Sequence, residues 1–385
     1  MHRSTKLVRG LLAAALLVSV AAHADIKIGV ILSTTGPAAS LGIPEKNTIE
    51  LLPKEMGGQK VSYIVLDDAT DVTHAVQNFR KLTSEDHVDA VIGSSVTPNS
   101  LAMVDVAAET HTPMISLAAS IGIIAPMDAK RAWAFKVPQN DALMADAIAQ
   151  YMAKHGIKTV GFIGFSDAYG DSWLNEFGKA AAARGVKVLD VERFNRTDTS
   201  VTGQVLKLMS SNPQAILIAG AGTPAALPET TLKDQGYKGV IYQTHGVANN
   251  DFLRVCGKAC DGTLLPAGPL LVSEQLPDSN PVKVSSNAYR KAYEAVYGVG
   301  SIATFGGHAW DAGHMLAAAV PVALKTAQPG TEAFRSALRA ALENIHDLAL
   351  SHGIMNTTPQ DHNGLDERAR VMVEIEHGKW VLLNN

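Results

Sequence analysis

The 385-residue chain contains two cysteines, Cys256 and Cys260. A CxxxC pair by itself offers too few ligands for a structural metal, and in an exported chain it suits a disulfide closing a small loop. Aromatic residues make up 5% and charged residues 18% of the chain, without a block of one sign. The formal net charge is −4, and a mildly acidic chain with no basic patch is a poor partner for nucleic acid. Catalytic templates are missing as well: there is no HExxH, no G-x-S-x-G elbow, no S-x-x-K and no P-loop. His308 and His314 lie six apart, which puts them on different faces of one helical segment, and they read as structural. Asp67 and Asp68 are adjacent at a strand end, point opposite ways, and read as loop capping. No nucleophile–base pair for a secreted hydrolase is found. Binding therefore stands ahead of catalysis, and neither cofactor nor metal is expected.

What is present begins with an export signal. Arg3, Lys6 and Arg9 precede the apolar run 11–20, which ends near Ala22-His23-Ala24. That is the order of a cleavable signal peptide, with cleavage expected after Ala24. The run is well short of the roughly 20 residues of a spanning helix. No Cys stands at the cleavage point to take a lipid, so a soluble periplasmic protein is expected. About 360 residues remain, too many for one core and enough for two.

Short apolar strands alternate with amphipathic helices, the sign of an α/β protein with parallel sheets. Strands are predicted over 26–32, 61–66, 88–92 and 113–116, with helices over 43–56, 72–83 and 98–109. The series restarts with helices over 141–154, 172–184 and 225–235 and strands over 159–164, 186–191, 215–219 and 239–243. After Gly262 three helices follow, over 281–297, 309–324 and 332–343. A hairpin over 370–376 and 379–383 closes the chain around His377-Gly378. Two βα series point to two Rossmann-like lobes with several crossings between them; a (β/α)₈ barrel does not explain the ending.

Ligands of open α/β sheets bind beyond the carboxyl ends of the strands. Thr97-Pro98 has the form of an N-cap with Pro at N1, and Leu117-Ala118-Ala119-Ser120 follows the next strand. Free N–H groups and the positive helix end make such junctions carboxylate sites, although plain capping also accounts for Thr97. Gly220-Ala221-Gly222-Thr223-Pro224-Ala225 matches G-x-G-x-x-A, but the next strand ends in Thr244-His245 rather than in the acid a dinucleotide needs. Tyr169, before Gly170 in a strand-to-helix loop, is a candidate stacking platform.

In order and spacing, several of these segments resemble one family. They are Ile26-Lys27-Ile28-Gly29-Val30, Thr35-Gly36-Pro37, Asp67-Asp68, Ala90-Val91-Ile92-Gly93, Met114-Ile115-Ser116, Asp167-Ala168-Tyr169-Gly170 and Trp310-Asp311-Ala312. Over 25–385 the chain resembles the leucine/isoleucine/valine-type solute-binding proteins of ABC importers, near their aromatic-acid-binding branch. The resemblance implies a type I periplasmic binding protein: two Rossmann-like lobes joined by a three-stranded hinge. On this pattern the signal covers 1–24, lobe 1 covers 25–138 and 270–358, and lobe 2 covers 139–269 and 359–385. It implies a carboxylate held by Thr97, Ala118 and Ser120, an aromatic contact at Tyr169, and a ligand-facing loop at Gly222 and Thr223.

Two departures matter. Members that bind α-amino acids carry a Glu for the ligand ammonium at the position of His245 here, and an aromatic gate at the position of Leu41. The expected ligand is thus a small carboxylate without an α-ammonium, best an aromatic acid, with His245 donating to a second oxygen. A branched-chain or other amino-acid-binding protein is the alternative, as is a ligand sensor of the same fold. A monomer that closes by hinge motion and meets an ABC permease in the inner membrane is the expected working form.

Overall fold

The computed structural model describes residues 25–383; the expected leader and its cleavage point lie outside the described residues. Two sheets, each flanked by helices, form two lobes. The first contains β1 (Ile26–Leu32), β2 (Glu55–Met56), β3 (Gln59–Asp67), β4 (Ala90–Gly93), β5 (Met114–Ser116) and β6 (Ala134–Lys136). Their order is β2-β3-β1-β4-β5-β6, all parallel except the β2–β3 pair. The second contains β7 (Thr159–Phe165), β8 (Lys187–Phe194), β9 (Ala215–Ala219), β10 (Val240–Gln243) and β11 (Leu264–Ala267). After a small separate pair, β12 (Leu348–Ala349) and β13 (Ile354–Met355), the hairpin β14 (Val371–Glu376) and β15 (Lys379–Leu382) joins the edge of that second sheet. This is the two-lobed α/β arrangement read from the sequence, not a closed barrel.

Strands covered on both faces read as unbroken apolar runs, and β4 and β9 are buried at every residue. In the first lobe, α1 (Ala39–Ile49) follows β1, and α2 (Val72–Ser84) and α3 (Thr97–Glu109) lay Phe79, Leu82 and Met103 on Ile31, Val91 and Met114. In the second lobe, α4 (Asp141–Lys154) and α5 (Ala168–Ala183) pack on each other over one face of the sheet. On its other face α6 (Thr202–Ser210) lies beside α7 (Ala226–Asp234), and α7 and α8 (Asn250–Cys256) pack beside β14. There Cys256 and Cys260 are joined as a disulfide with a Cα–Cα distance of 5.8 Å. The chain then returns: α9 (Lys283–Tyr297), α10 (Thr304–Ala323) and α11 (Glu332–Leu342) belong to the first lobe. Met315, Leu316, Phe334 and Leu338 cover the remaining face of its sheet, against Val30, Ile92 and Ile115.

The lobes are joined by three passages of chain, after β6, after β11 and between β13 and β14. The first and third bond to each other. The Asn363 side chain donates to the carbonyls of Lys136 and Pro138, both at 3.0 Å, and Gln139 donates to the Ala369 carbonyl at 2.8 Å. His362 stacks on Phe135 at 4.1 Å between ring centroids. Lys136 is fully buried and donates to the Pro138 carbonyl at 2.6 Å and to Asn140 at 2.9 Å. Burial pushes its ammonium down to about 7.

Several boundaries differ from the sequence expectation. The helix predicted over 43–56 spans Ala39–Ile49, because Pro53 bars continuation and Gly57-Gly58, both at positive φ, turn β2 back onto β3. Helix α5 starts at Ala168 rather than at 172, since Asp167 caps it by accepting from the N–H groups of Tyr169 and Gly170. Tyr169 is thereby a first-turn helical residue rather than a loop residue. Helix α10 starts five residues before the predicted 309, with no side-chain cap to announce it.

Candidate functional site

Between the lobes lies a tight cavity of about 30 Å³, walled by loops at the carboxyl ends of strands from both sheets. From the first lobe come Leu41 of α1, the β4–α3 junction Ser95–Thr97, the segment Leu117–Ala119 and Phe305 and His308 of α10. The second lobe supplies Tyr169, Arg196, Ala221, His245 and Gly246, and the first hinge passage adds Pro138. A wider groove of about 520 Å³ runs past Arg290 and Trp380. Arg290 there is already paired with Glu274 and Glu294, and Trp380 keeps an unpartnered Nε1, whereas four lining residues of the interlobe cavity, Thr97, Arg196, His245 and His308, carry unpartnered polar atoms.

Thr97 is the first residue of α3, with Val96 in the cap position and no side-chain cap bond. Its hydroxyl therefore does not cap; it is buried without a partner, beside a helix start whose first N–H groups have no helical acceptor. His245 follows β10, and Thr244 fixes the turn by accepting from the Gly246 N–H at 3.2 Å. The His245 ring packs 5.7 Å from Trp173 between centroids and leaves Nδ1 unpartnered. Burial, aided by Lys136 and His352, pushes its imidazole down to about 3, so the ring is neutral. Tyr169 turns its hydroxyl to Thr244 Oγ1 at 2.7 Å, and Thr244 in turn donates to the Gly220 carbonyl at 2.8 Å. The Tyr169 phenol is thus spent on the wall, and burial raises its pKa further.

Five of the eight residues singled out in the sequence line the cavity: Leu41, Thr97, Ala118, Tyr169 and His245. The other three lie at its edge. Ser120 places its hydroxyl 2.9 Å from that of Ser172, which donates to Asp141, so it bridges the lobes. Gly222 faces Ser40 and Leu41 of the opposite lobe, and the Thr223 N–H reaches Ser40 Oγ at 3.4 Å. The G-x-G-x-x-A turn is filled by its own surroundings: the Gly222 N–H donates to the Gly246 carbonyl at 2.8 Å, and Gly246 packs against Gly220 and Ala221. Asp67 and Asp68 tie loops, as read: Asp67 accepts from Thr34, Thr35 and Ala69, and Asp68 from Ser33, Ser94 and Thr70.

Among the lining residues that sequence reasoning missed are Arg196, His308 and Phe305. Arg196 stands just after β8; its Nε donates to Asp167 at 2.7 Å and its guanidinium lies 4.1 Å from the Phe165 ring centroid. Nη1 is left buried and unpartnered at the cavity. His308 was read as structural, yet it lines the cavity with both ring nitrogens buried and unpartnered. Phe305 lies one turn before it. The signal that was available is the Phe305/His308 spacing, three apart on one helical face.

Among the described residues no Asp or Glu lines the cavity. It offers an apolar body with a hydroxyl, a guanidinium and two neutral imidazoles, suited to a small ligand with acceptor oxygens. The apolar side chains of the two lobes meet there: Leu41, Val96 and Phe305 of the first join the core of the second. Such a contact is what closure of a hinged pair produces.

The family model described as "Periplasmic binding protein" matches residues 25–378. An extracellular ligand-binding receptor from Rhodopseudomonas palustris HaA2 is 46% identical, with a TM-score of 0.91 over 94% of this chain and 100% of that one. A curated Leu/Ile/Val-binding protein homolog of Brucella melitensis is 26% identical over 63% of this chain and 67% of its own length. A solute-binding protein from R. palustris, solved with benzoate, shares the fold at 22% identity and a TM-score of 0.80 over 94% of this chain and 96% of that one. Proteins of this kind are non-catalytic and serve as the solute-binding components of ABC importers. By its sequence, its two lobes and the cavity between them, the chain belongs to the periplasmic binding protein family.

Proposed function

We propose that this chain is the periplasmic solute receptor of an ABC importer and that its ligand is a small carboxylate without an α-ammonium, best an aromatic acid. The supporting observation is the set of buried, unpartnered polar atoms on Thr97, Arg196, His245 and His308, all facing one cavity that no Asp or Glu lines. Each unsatisfied buried group costs about 1–3 kcal/mol, and a ligand with acceptor oxygens relieves that cost as the lobes close. An ammonium finds no anionic partner in the lining. Thr97 and the start of α3 take the carboxylate from the first lobe, Arg196 faces the ligand from the second, and His245 donates to a further oxygen. The chain works as a monomer, exported with its leader removed after Ala24, and the closed form is what the permease recognises.

A second reading, a branched-chain amino acid, is favoured by the names of the curated relatives, which are Leu/Ile/Val-binding proteins. Glu45, bonded to the lining residue Ser95 with one oxygen unpartnered, is an acid just behind the wall that could serve it, although burial pushes its carboxyl well above the usual range. A thermal-shift screen of benzoate, 3-phenylpropanoate, leucine, isoleucine and valine separates the two. Stabilisation by aromatic acids alone, lost in His245→Ala, supports the first reading. Stabilisation by leucine or valine overturns the ligand class and leaves the receptor role in place.

A further inference from the structure

Capture of a carboxylate by Thr97 and Arg196 makes no use of a column of buried histidines behind the cavity. His308 stands in the second turn of α10 with both ring nitrogens unpartnered. Its ring lies 4.4 Å, between centroids, from that of His352. His352 Nδ1 is 2.9 Å from Asp311 Oδ2 and 2.9 Å from Ser351 Oγ, and Asp311 also accepts from the Ser351 N–H at 2.7 Å. The His352 ring is wedged in place. A Cβ added at Gly307 would fall 2.5 Å from its Cε1, and one at Gly268 would fall 2.3 Å from its Cδ2. His308 therefore meets the ligand space with a fixed, oriented ring behind it.

The groups around His308 offer no negative charge on the cavity side. His352 faces it from the turn between β12 and β13, His245 from the loop after β10, and Lys136 from the end of β6. Arg196 lines the same cavity, and Glu45 of α1 is driven towards its neutral acid by burial. Asp311, on the same helix, is turned to His352. Burial first, then His352, His245 and Lys136, hold the His308 imidazole well below its usual range. A carboxylate placed in this cavity supplies the missing countercharge, and an opposite charge in a desolvated site favours the protonated ring.

We propose that His308 binds one proton as the cleft closes on a carboxylate, so that ligand and proton are taken up together. The inference rests on the reading of the cavity as a carboxylate site. The proton comes from solvent and goes to a ring nitrogen of His308, and no bond of the ligand is made or broken. His352, oriented by Asp311, is a positioning residue that holds the His308 ring towards the ligand.

The sign follows from linkage. Where the complex holds more protons than the free protein, affinity rises as pH falls. The effect ends at low pH, where an open, solvated His308 is already protonated, near roughly pH 6.5 for an ordinary histidine. Uptake is expected to approach about one proton per ligand at about pH 7.5 and to vanish towards about pH 5. Above neutrality the association constant should fall by up to about tenfold per pH unit.

Calorimetric titration of the mature chain with benzoate and with L-leucine, each in phosphate and in Tris, counts the protons from the difference in heats. Either ligand carries a carboxylate, so either one that binds gives the count. About one proton with wild type, none with His308→Gln, and a pH midpoint displaced in Asp311→Asn are the expected results. The wild-type count needs no variant and stands even if His308→Gln folds poorly. Equal heats in the two buffers with a ligand that binds overturn this inference alone. Uptake that persists in well-folded His308→Gln overturns the assignment to His308. Failure of benzoate, 3-phenylpropanoate and the branched-chain amino acids to bind at all overturns the carboxylate reading and this inference with it.

Discussion

The hinge and the cavity are both buried and both polar, and they differ in how their polar atoms are satisfied. In the hinge Asn363, Gln139 and His362 each hold a carbonyl of another passage and Lys136 holds the Pro138 carbonyl of its own, although Asn363 Oδ1, Gln139 Oε1 and His362 Nε2 are left over. In the cavity the Thr97 hydroxyl and the whole His308 ring hold nothing, and Arg196 keeps one free nitrogen. A folded chain tolerates such atoms rarely, because each forfeits its hydrogen bonds to water. The difference is one of degree: each of these hinge side chains makes at least one bond, whereas Thr97 and His308 make none with theirs.

Substitutions should pull the two regions apart. Asn363→Ala removes the side chain bonded to two buried carbonyls, and is expected to lower stability by about 3 kcal/mol in urea melts with little change in ligand affinity. Thr97→Val, a near-isosteric change at an unpartnered hydroxyl, should leave stability unchanged or slightly higher. Its affinity should fall by about 2 kcal/mol, roughly thirtyfold, if the hydroxyl meets a charged ligand; unchanged affinity would move Thr97 to the structural side. Gly222→Ala acts on the lip. Its φ is +64° and a Cβ would lie 2.8 Å from Leu41 Cδ1 across the cleft. A backbone cost of about 1 kcal/mol is expected, with affinity down severalfold and a smaller ligand-induced contraction in solution scattering.

Most of the fold was legible because doubly covered strands such as β9 are unbroken apolar runs, and because helices such as α2 carry a one-sided pattern. Illegible parts had local signals of the wrong kind. The start of α10 is hidden by Gly306-Gly307, poor helix formers that are there for close packing: a Cβ at Gly306 would fall 2.1 Å from the Tyr289 hydroxyl oxygen. With that start lost, Phe305 and His308 fell outside the predicted helix. His308 was then compared only with His314, whose Nδ1 lies 2.9 Å from the Trp310 carbonyl of its own helix. Arg196 lies in an aperiodic stretch, and its position depends on Asp167 and Phe165, about thirty residues earlier in the chain. Thr97, Ala118 and His245 were legible because a strand end followed by a loop or turn fixes where a residue stands. The role of Ser120 was not, since its partner Ser172 comes from the other lobe.

The passage of α10 and α11 back onto the first sheet has a consequence for how the chain acquires its shape. Val30, Ile92 and Ile115 are covered by Met315, Leu316, Phe334 and Leu338, from the last quarter of the sequence. The strands made first during synthesis therefore keep one bare apolar face until nearly the whole chain has emerged. Closing that face joins segments some 200–300 residues apart, a slow kind of search, and an uncovered sheet is exposed to aggregation in the meantime. Neither lobe is a continuous piece of chain, so cutting the sequence anywhere in its middle should yield two fragments that each lack half of a core.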